Sequence, residues 1–228
     1  METAEFFRQY TEAYDRVMSS LSMYRSLIAL HREALIGKIR ILESGCGPGT
    51  LAIELLRQGA CVYALDQNQY ALDRLSTKAK GNEGRLFTYC QDAHVLPFED
   101  EFIDGVSSML VLPFMDEPLK YLREHARVLR KGGVFVVSGP DEKSRDDVAG
   151  VLREWKDDHA AQGLLDDLAM DWETFEKCTR QSVNAVVQNW FGLEQLSGIL
   201  EADLGLHVVK RAPNPLYKSG YVIVAEKH

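Results

Sequence analysis

Ten consecutive residues constrain this chain more than any others: Ile41-Leu42-Glu43-Ser44-Gly45-Cys46-Gly47-Pro48-Gly49-Thr50. A short apolar run ends on an acid, passes three glycines and enters a pattern in which Leu51, Leu55 and Leu56 share one helical face. Such a segment reads as strand, turn, helix, and it needs a sheet behind it and a helical layer in front. Glycines at 45, 47 and 49 remove side chains where the backbone must pass close to a ligand. The helix that follows offers free N–H groups and a field that favours negative charge.

The flanking texture agrees. From residue 38 onward apolar runs alternate with helical periodicity. Strands are expected at 39–42, 61–65, 86–90, 105–109 and 134–137, and helices at 50–58, 70–79 and 118–129. Gly59 and Gly81 are helix stops, and Lys131-Gly132-Gly133 reads as a tight turn. The strands barely alternate, as expected of strands buried on both faces. The order predicts a parallel sheet with helices on both sides. Residues 1–37 read as helical: Tyr10, Tyr14, Val17 and Leu21, with Phe6 and Phe7, recur at spacings of three and four. Residues 141–190 break the alternation with two amphipathic helices around Trp155 and Trp172, separated at Gly163. Residues 191–228 return to the pattern, with a helix at 193–204 and a closing antiparallel pair at 206–209 and 221–225.

The glycine spacing separates ligand classes. A dinucleotide fingerprint needs G-x-G-x-x-G or A, but Thr50 occupies the sixth position from Gly45. A phosphate-binding loop needs G-K-[ST], which is absent. An acid at Glu43, just before the turn, repels a pyrophosphate and suits a ligand with an amino group. These details favour S-adenosylmethionine over a nicotinamide dinucleotide.

At this point the chain resembles the class I S-adenosylmethionine-dependent methyltransferases, over about residues 38–140. Glu43 with Gly45, Gly47 and Gly49 looks like the family's first motif, and Asp66 like its acid at the end of the second strand. Gln91-Asp92-Ala93 followed by Leu96-Pro97-Phe98 looks like the third. The stretch from Phe102 to Met109 looks like the fourth-strand motif, and Val128 to Gly133 like the helix and turn before strand five. Ala13-Tyr14-Asp15-Arg16-Val17-Met18 is similar to the Tyr-Asp segment of quinone-type and related small-molecule methyltransferases, where it forms a helical lid. A histidine that often follows strand four in those relatives is replaced here by Val111-Leu112-Pro113-Phe114-Met115.

The resemblance implies a Rossmann-like α/β fold: seven strands in the order 3-2-1-4-5-7-6, the last antiparallel. It divides the chain into an N-terminal helical lid (1–37), a cofactor-binding core (38–140), a helical cap (141–190) and a C-terminal completion of the core (191–228). It implies S-adenosylmethionine as cofactor, S-adenosylhomocysteine as product and methyl transfer to a small or medium-sized acceptor. A non-catalytic S-adenosylmethionine-binding sensor or partner subunit carries the same binding motifs.

Roles carried over residue by residue have physical reasons. Asp66 is expected to accept from both ribose hydroxyls, which a two-oxygen carboxylate does well. Asp92 is expected to accept from the adenine amino group, with the Ala93 N–H beside it. Glu43 is expected to favour the methionine ammonium, aided by the Ser107 carbonyl near Met109 at the end of strand four. Gln67 flanks the ribose or adenine, Cys46 belongs to the glycine turn, and Tyr14 closes over the methionine carboxylate. No catalytic residue is named, because an activated sulfonium asks mainly for positioning. His31, His94, His125, His159 and His207 each read as structural or exposed, with His159 in the insertion first in line were any of them a base.

Charge and cysteine usage narrow the setting. Lys plus Arg number 26 against 34 Asp plus Glu, a net charge of −8, whereas nucleic-acid binders carry a basic surplus. Residues 141–177 hold 12 acids and 5 bases. They read as a solvated outer face or as a region attracting a cationic substrate. Cys46, Cys61, Cys90 and Cys178 form no C-x-x-C pair and read as reduced thiols, with no metal site. Residues 1–5 are acidic and lack the apolar core of a signal peptide, and no apolar run approaches the ~18 residues of a membrane span. A cytoplasmic monomer or homodimer acting on a small molecule, without nucleic acid, is expected.

Overall fold

The structure, a computed structural model, describes residues 2–185 and 189–228; the side chains of residues 2–4, 6, 7, 145 and 182–185 lie outside that description. Phe6 and Phe7 of the expected first stripe fall among the latter, and residues 186–188 of the expected cap are not described.

Strands β1 (Arg40–Ser44), β2 (Cys61–Asp66), β3 (Leu86–Cys90), β4 (Ile103–Met109), β5 (Leu129–Pro140), β6 (Leu206–Pro213) and β7 (Gly220–Lys227) form a sheet in the order β3-β2-β1-β4-β5-β7-β6. The first five are parallel, and β7 runs antiparallel to both β5 and β6. This is the Rossmann-like arrangement and strand order that the family resemblance implies. Three of the four crossovers between parallel strands carry a helix, α3 (Thr50–Arg57), α4 (Gln69–Lys78) and α5 (Pro118–Val128), and β3 runs to β4 through a loop.

Side chains of a strand alternate between faces, so each strand feeds two cores. Ile41, Val134 and Val136 join one core with Leu51 and Leu55 of α3. Leu42, Phe135 and Val137 join the other with Tyr121 and Leu122 of α5 and Leu196 of α9 (Leu193–Gly198). The first core is extended by α1 (Glu2–Ser20), α2 (Ser22–Ala34), α7 (Val148–Ala161) and α8 (Ala169–Ala185), with the short α6 (Glu142–Asp146) leading in from β5. Thus the N-terminal helices and those following β5 cover the same face.

Three boundaries differ from expectation. The 131–133 turn lies inside β5: β4 begins at Ile103 and already pairs with Leu129, and the register slips before Gly105 meets Val134. Gly132, at φ +70°, absorbs that slip. The closing strands are longer than expected because β7 finds partners on both sides. The helix at 193–204 is α9 followed by a wider π turn, Ile199–Asp203.

Polar contacts hold the added helices. Asp15 of α1 is 7% exposed and accepts from Arg74 Nη2 and Lys78 Nζ of α4, each at 2.9 Å. Asn68 Nδ2 donates to Thr11 Oγ1 at 2.9 Å, and the Tyr70 hydroxyl donates to Glu12. His31 of α2 is fully buried and bridges the sheet, with Nδ1 2.9 Å from Ser107 Oγ and Nε2 2.8 Å from Ser138 Oγ. His125 of α5 is also fully buried, and its Nδ1–H donates to the Tyr121 carbonyl at 2.6 Å.

Burial keeps both rings neutral, with pKa values pulled down to about 3 for His31 and about 4 for His125. Below about pH 6.5 the unfolded chain takes up protons at these positions that the folded chain does not. Stability is therefore present above pH 6.5 and falls as pH drops toward 4, by roughly 1 kcal/mol per pH unit per histidine. Urea unfolding at pH 7.5, 6 and 5 should show a shallower acid slope for His31→Gln than for wild type. Carboxylates common to both proteins cancel in that difference.

Candidate functional site

The glycine turn is built on the end of β2. Gly45 and Cys46 N–H donate to the Leu65 carbonyl at 2.7 and 3.0 Å, and Gly47 N–H donates to Asp66 Oδ2 at 2.8 Å. Asp66 Oδ1 accepts from the Asn68 N–H at 2.9 Å. Asp66 is thus positioned by backbone on both sides, while a carboxylate retains lone pairs for further donors. At Gly49 (φ +78°) a Cβ would lie 2.3 Å from Leu75 Cδ1 of α4, so the turn closes only without one. At Gly47 (φ +51°) a Cβ would meet nothing within 4 Å, so this backbone faces open space beside Asp66.

Glu43 ends β1 next to this turn and is 2% exposed. Its Oε2 has no hydrogen-bond partner among the described residues. Burial, aided by the Asp66 charge, pushes its carboxyl up to about 8. A buried carboxyl with an unused oxygen next to an open glycine turn is suited to a cationic group, which would complete the pair. Burial likewise raises Asp66 above the usual carboxylate range, although its backbone donors oppose this.

The remaining expected residues fall in two groups. Ser107 pairs in register with Glu43 across β1 and β4, but its hydroxyl is occupied by His31. Met109 ends β4, and Cys46 packs in the core beside the turn. Gln67 is exposed at the end of β2. Asp92 lies further along, 60% exposed, with Oδ1 accepting from the His94 N–H at 2.9 Å and facing His94 Nδ1 at 2.6 Å. These contacts hold its carboxyl below the usual range. Ala93 buries its methyl group in the second core. Tyr14 projects from α1 near Asp66, whose charge adds to the burial that raises its phenol well above the ordinary range.

Tyr14 also lines a cavity of about 120 Å³. Tyr10 and Met18 of α1, Leu110 and Phe114 after β4, Trp155 of α7, Phe175 of α8 and Tyr217 between β6 and β7 contribute walls. Sequence reading missed Leu110 and Tyr217. Leu110 has φ +64°, rare for a leucine, and its N–H donates to the Ser138 carbonyl at 2.9 Å. Nothing in the sequence marks that strain. His159 is not a base here. Trp172 Nε1 donates to its Nδ1 at 2.9 Å, so Nε2 carries the proton and meets Ser20 Oγ at 2.9 Å. The ring is fully buried and ties α7 to α1 and α8.

Comparison with known proteins adds independent findings. Residues 42–137 match the family model described as a methyltransferase domain. Demethylmenaquinone methyltransferase of Clavibacter sepedonicus is 31% identical over 140 residues, covering 60% of this chain. The match covers 57% of that relative, so the chain spans little more than half of its length. The structure of Burkholderia thailandensis 1,6-didemethyltoxoflavin-N1-methyltransferase with bound 1,6-didemethyltoxoflavin and S-adenosylhomocysteine superposes with a TM-score of 0.65 at 18% identity, covering 99% of this chain and 89% of that one. A methyltransferase of Thermotoga maritima, described as a possible histamine N-methyltransferase, has a TM-score of 0.65 at 19% identity, covering 98% of this chain and 99% of that one.

The state of Glu43 has a measurable consequence. A bound ammonium favours the carboxylate, so uptake of S-adenosylmethionine below about pH 8 should expel a proton from Glu43. Affinity should rise with pH toward 8. Calorimetry at pH 7 in two buffers of different ionisation enthalpy should register release of up to about one proton per site in wild type. Glu43→Gln should bind more weakly and release none.

Proposed function

We propose, from the methyltransferase-domain match over residues 42–137 and the Rossmann-like fold, that the chain is a class I S-adenosylmethionine-dependent methyltransferase that transfers a methyl group to a small acceptor molecule. One observation carries the reading: an open glycine turn between two buried or half-buried acids, Glu43 and Asp66, adjoins an apolar cavity through Tyr14. The cofactor, when bound, supplies a sulfonium methyl that leaves its electron pair on sulfur as the acceptor's lone pair takes the carbon.

The chain's own residues then have separable roles in this proposal. Glu43 neutralises the ammonium of the methionine moiety. Asp66 accepts from the ribose hydroxyls with the lone pairs its backbone donors leave. Asp92, oriented by His94, accepts from the adenine amino group. Residues 1–37 and 141–190 act as lid and cap: α1, α7 and α8 wall the cavity and exclude water from the transferable methyl. No catalytic base is assigned. The contribution of the walls is to align the acceptor with the methyl group.

The acceptor is proposed to be a small molecule, as in the named reaction of the Burkholderia neighbour. Among the described residues no helix is long and apolar enough to cross a membrane. The four cysteines are free thiols, in keeping with the reducing cytoplasmic setting that this reading includes.

Incubating the chain with methyl-labelled S-adenosylmethionine and a metabolite extract should yield a labelled small molecule and S-adenosylhomocysteine. Tight binding of the cofactor with no labelled product from any extract would favour the non-catalytic sensor instead. Asp66→Ala should weaken S-adenosylhomocysteine binding roughly 5- to 150-fold, as expected for about 1–3 kcal/mol of charge-assisted hydrogen bonding. Calorimetry measures it, and a circular dichroism melt checks that the variant stays folded.

A further inference from the structure

The chemistry of the cavity walls narrows the acceptor itself, an inference that rests on the methyl-transfer reading. Among the described residues lining the cavity there is no Asp, Glu, Lys, Arg or His. Aromatic rings dominate. Phe175 is the centre of a cluster, with ring centroids 6.3 Å from Tyr10, 6.1 Å from Tyr14 and 6.0 Å from Trp155. Trp155 in turn meets Tyr217 edge-on at 5.7 Å. Such walls favour a flat ring through offset or edge contacts. An anion placed there has no counter-ion and pays its desolvation in full, and a cation meets ring faces but no carboxylate, so only part of its desolvation is offset.

Polar side-chain groups in the lining are confined to hydroxyls and two indoles. Burial raises all three phenols; Tyr10 adds to the rise at Tyr14, and Tyr14 and Tyr10 add to that at Tyr217. All three are held above the ordinary phenol range and stay protonated at neutral pH. Protonated phenols bring no charge to the lining, and Tyr10 and Tyr14 are themselves hydrogen-bonded to Thr179 and Tyr24.

The acids of residues 141–177 do not change this balance, because none of them lines the cavity and several are engaged by neighbours. Asp171 pairs with Arg16 at 2.7 Å, and Glu176 with Lys156 at 2.5 Å and Arg180 at 2.9 Å. Asp158 accepts from the Ser22 N–H at 2.8 Å, Glu154 pairs with Lys218, and Asp141 and Asp147 cap α6 and α7. None of these acids lines the cavity. The acidic stretch therefore contributes no carboxylate to the cavity lining.

We propose that the acceptor is an uncharged aromatic molecule whose ring lies against the Phe175–Trp155 wall. Selection is by absence of counter-charge: a cation finds no carboxylate and an anion finds no cation in the lining.

Three probes of one shape test this at pH 7: 2-naphthol (neutral), 2-naphthoate (anionic) and 2-(aminomethyl)naphthalene (cationic). Each is titrated calorimetrically into the full chain, with and without saturating S-adenosylhomocysteine. The expected result is that 2-naphthol binds roughly 30-fold or more tightly than either charged probe, the penalty of an unpaired charge in an apolar site. Phe114→Glu, at a wall residue that is 43% exposed, should keep S-adenosylhomocysteine affinity while weakening 2-naphthol about 10-fold or more. Val148→Glu, on the α7 wall, is the second variant should the first not fold. A charged probe that binds as well as 2-naphthol overturns the proposal. So does failure of 2-naphthol to bind at millimolar concentration, or indifference to both wall substitutions. Loss of S-adenosylhomocysteine binding by the wild-type chain would instead overturn the methyl-transfer reading, and the probe series without it still decides the acceptor's charge.

Discussion

The carboxyl end of β2 holds the site together. The Leu65 carbonyl takes the Gly45 and Cys46 N–H groups, and the Asp66 carboxylate takes those of Gly47 and Asn68. These bonds satisfy backbone donors that a glycine turn would otherwise leave to solvent. They also set the acid proposed for the ribose directly against the backbone that faces open space. The turn and the acid are therefore one unit: a change at Asp66 acts on the backbone as well as on a ligand. The nearby Asp66 charge also helps keep the proton on Glu43 until a cation arrives.

Asn68 carries this constraint outward. Its side-chain oxygen caps α4 by accepting from the Tyr70 and Ala71 N–H groups at 3.1 and 3.4 Å. Its amide nitrogen meanwhile reaches Thr11 of α1. Asp15, one helical turn further along α1, meets Arg74 and Lys78 one and two turns into α4. The helix that positions Tyr10 and Tyr14 at the cavity is thereby tied to the helix that begins just after Asp66. Buried aromatic contacts with Phe175 then tie α1 to α8. Methyl transfer depends on aligning donor and acceptor and gains from such linkage, since small misplacements are costly to rate.

The division of charge follows the same economy. Glu43 is the buried carboxyl that adjoins the glycine turn, where a cationic ligand would offset its desolvation, whereas the buried Asp15 and Asp104 are met by Arg and Lys side chains of the chain itself. The cavity side has no carboxyl group in its described lining. His31 and His159, which lie behind that region, each use both ring nitrogens in hydrogen bonds to neighbouring side chains. They cement α2 to the sheet and α7 to α1 and α8, and have no lone pair left for a substrate proton.

Local chemistry made much of this legible from the sequence. The strand-acid-glycine-helix run at 41–50 has few structural solutions, and the alternation from 38 to 140 leaves little choice but a parallel sheet. Strand order followed from the family resemblance and is the order observed. Boundaries were less legible where pairing partners decide them: β5 starts at Leu129 because β4 offers Ile103 as a partner, which no local signal announces. What the residues could not disclose is contact at long sequence separation. Trp172 and Ser20 occupy the ring nitrogens of His159 from 13 and 139 residues away, and ion pairs engage Asp171 and Glu176 of the acidic stretch. Leu110 takes a strained backbone, and Tyr217 reaches a cavity begun by Tyr10. The sequence by itself determined the fold class and the residue types around the cofactor turn, because periodicity and glycine sterics act over a few residues. Only the tertiary structure decided which of its polar groups remain free to meet a ligand, because burial and hydrogen-bond satisfaction depend on what the fold brings alongside.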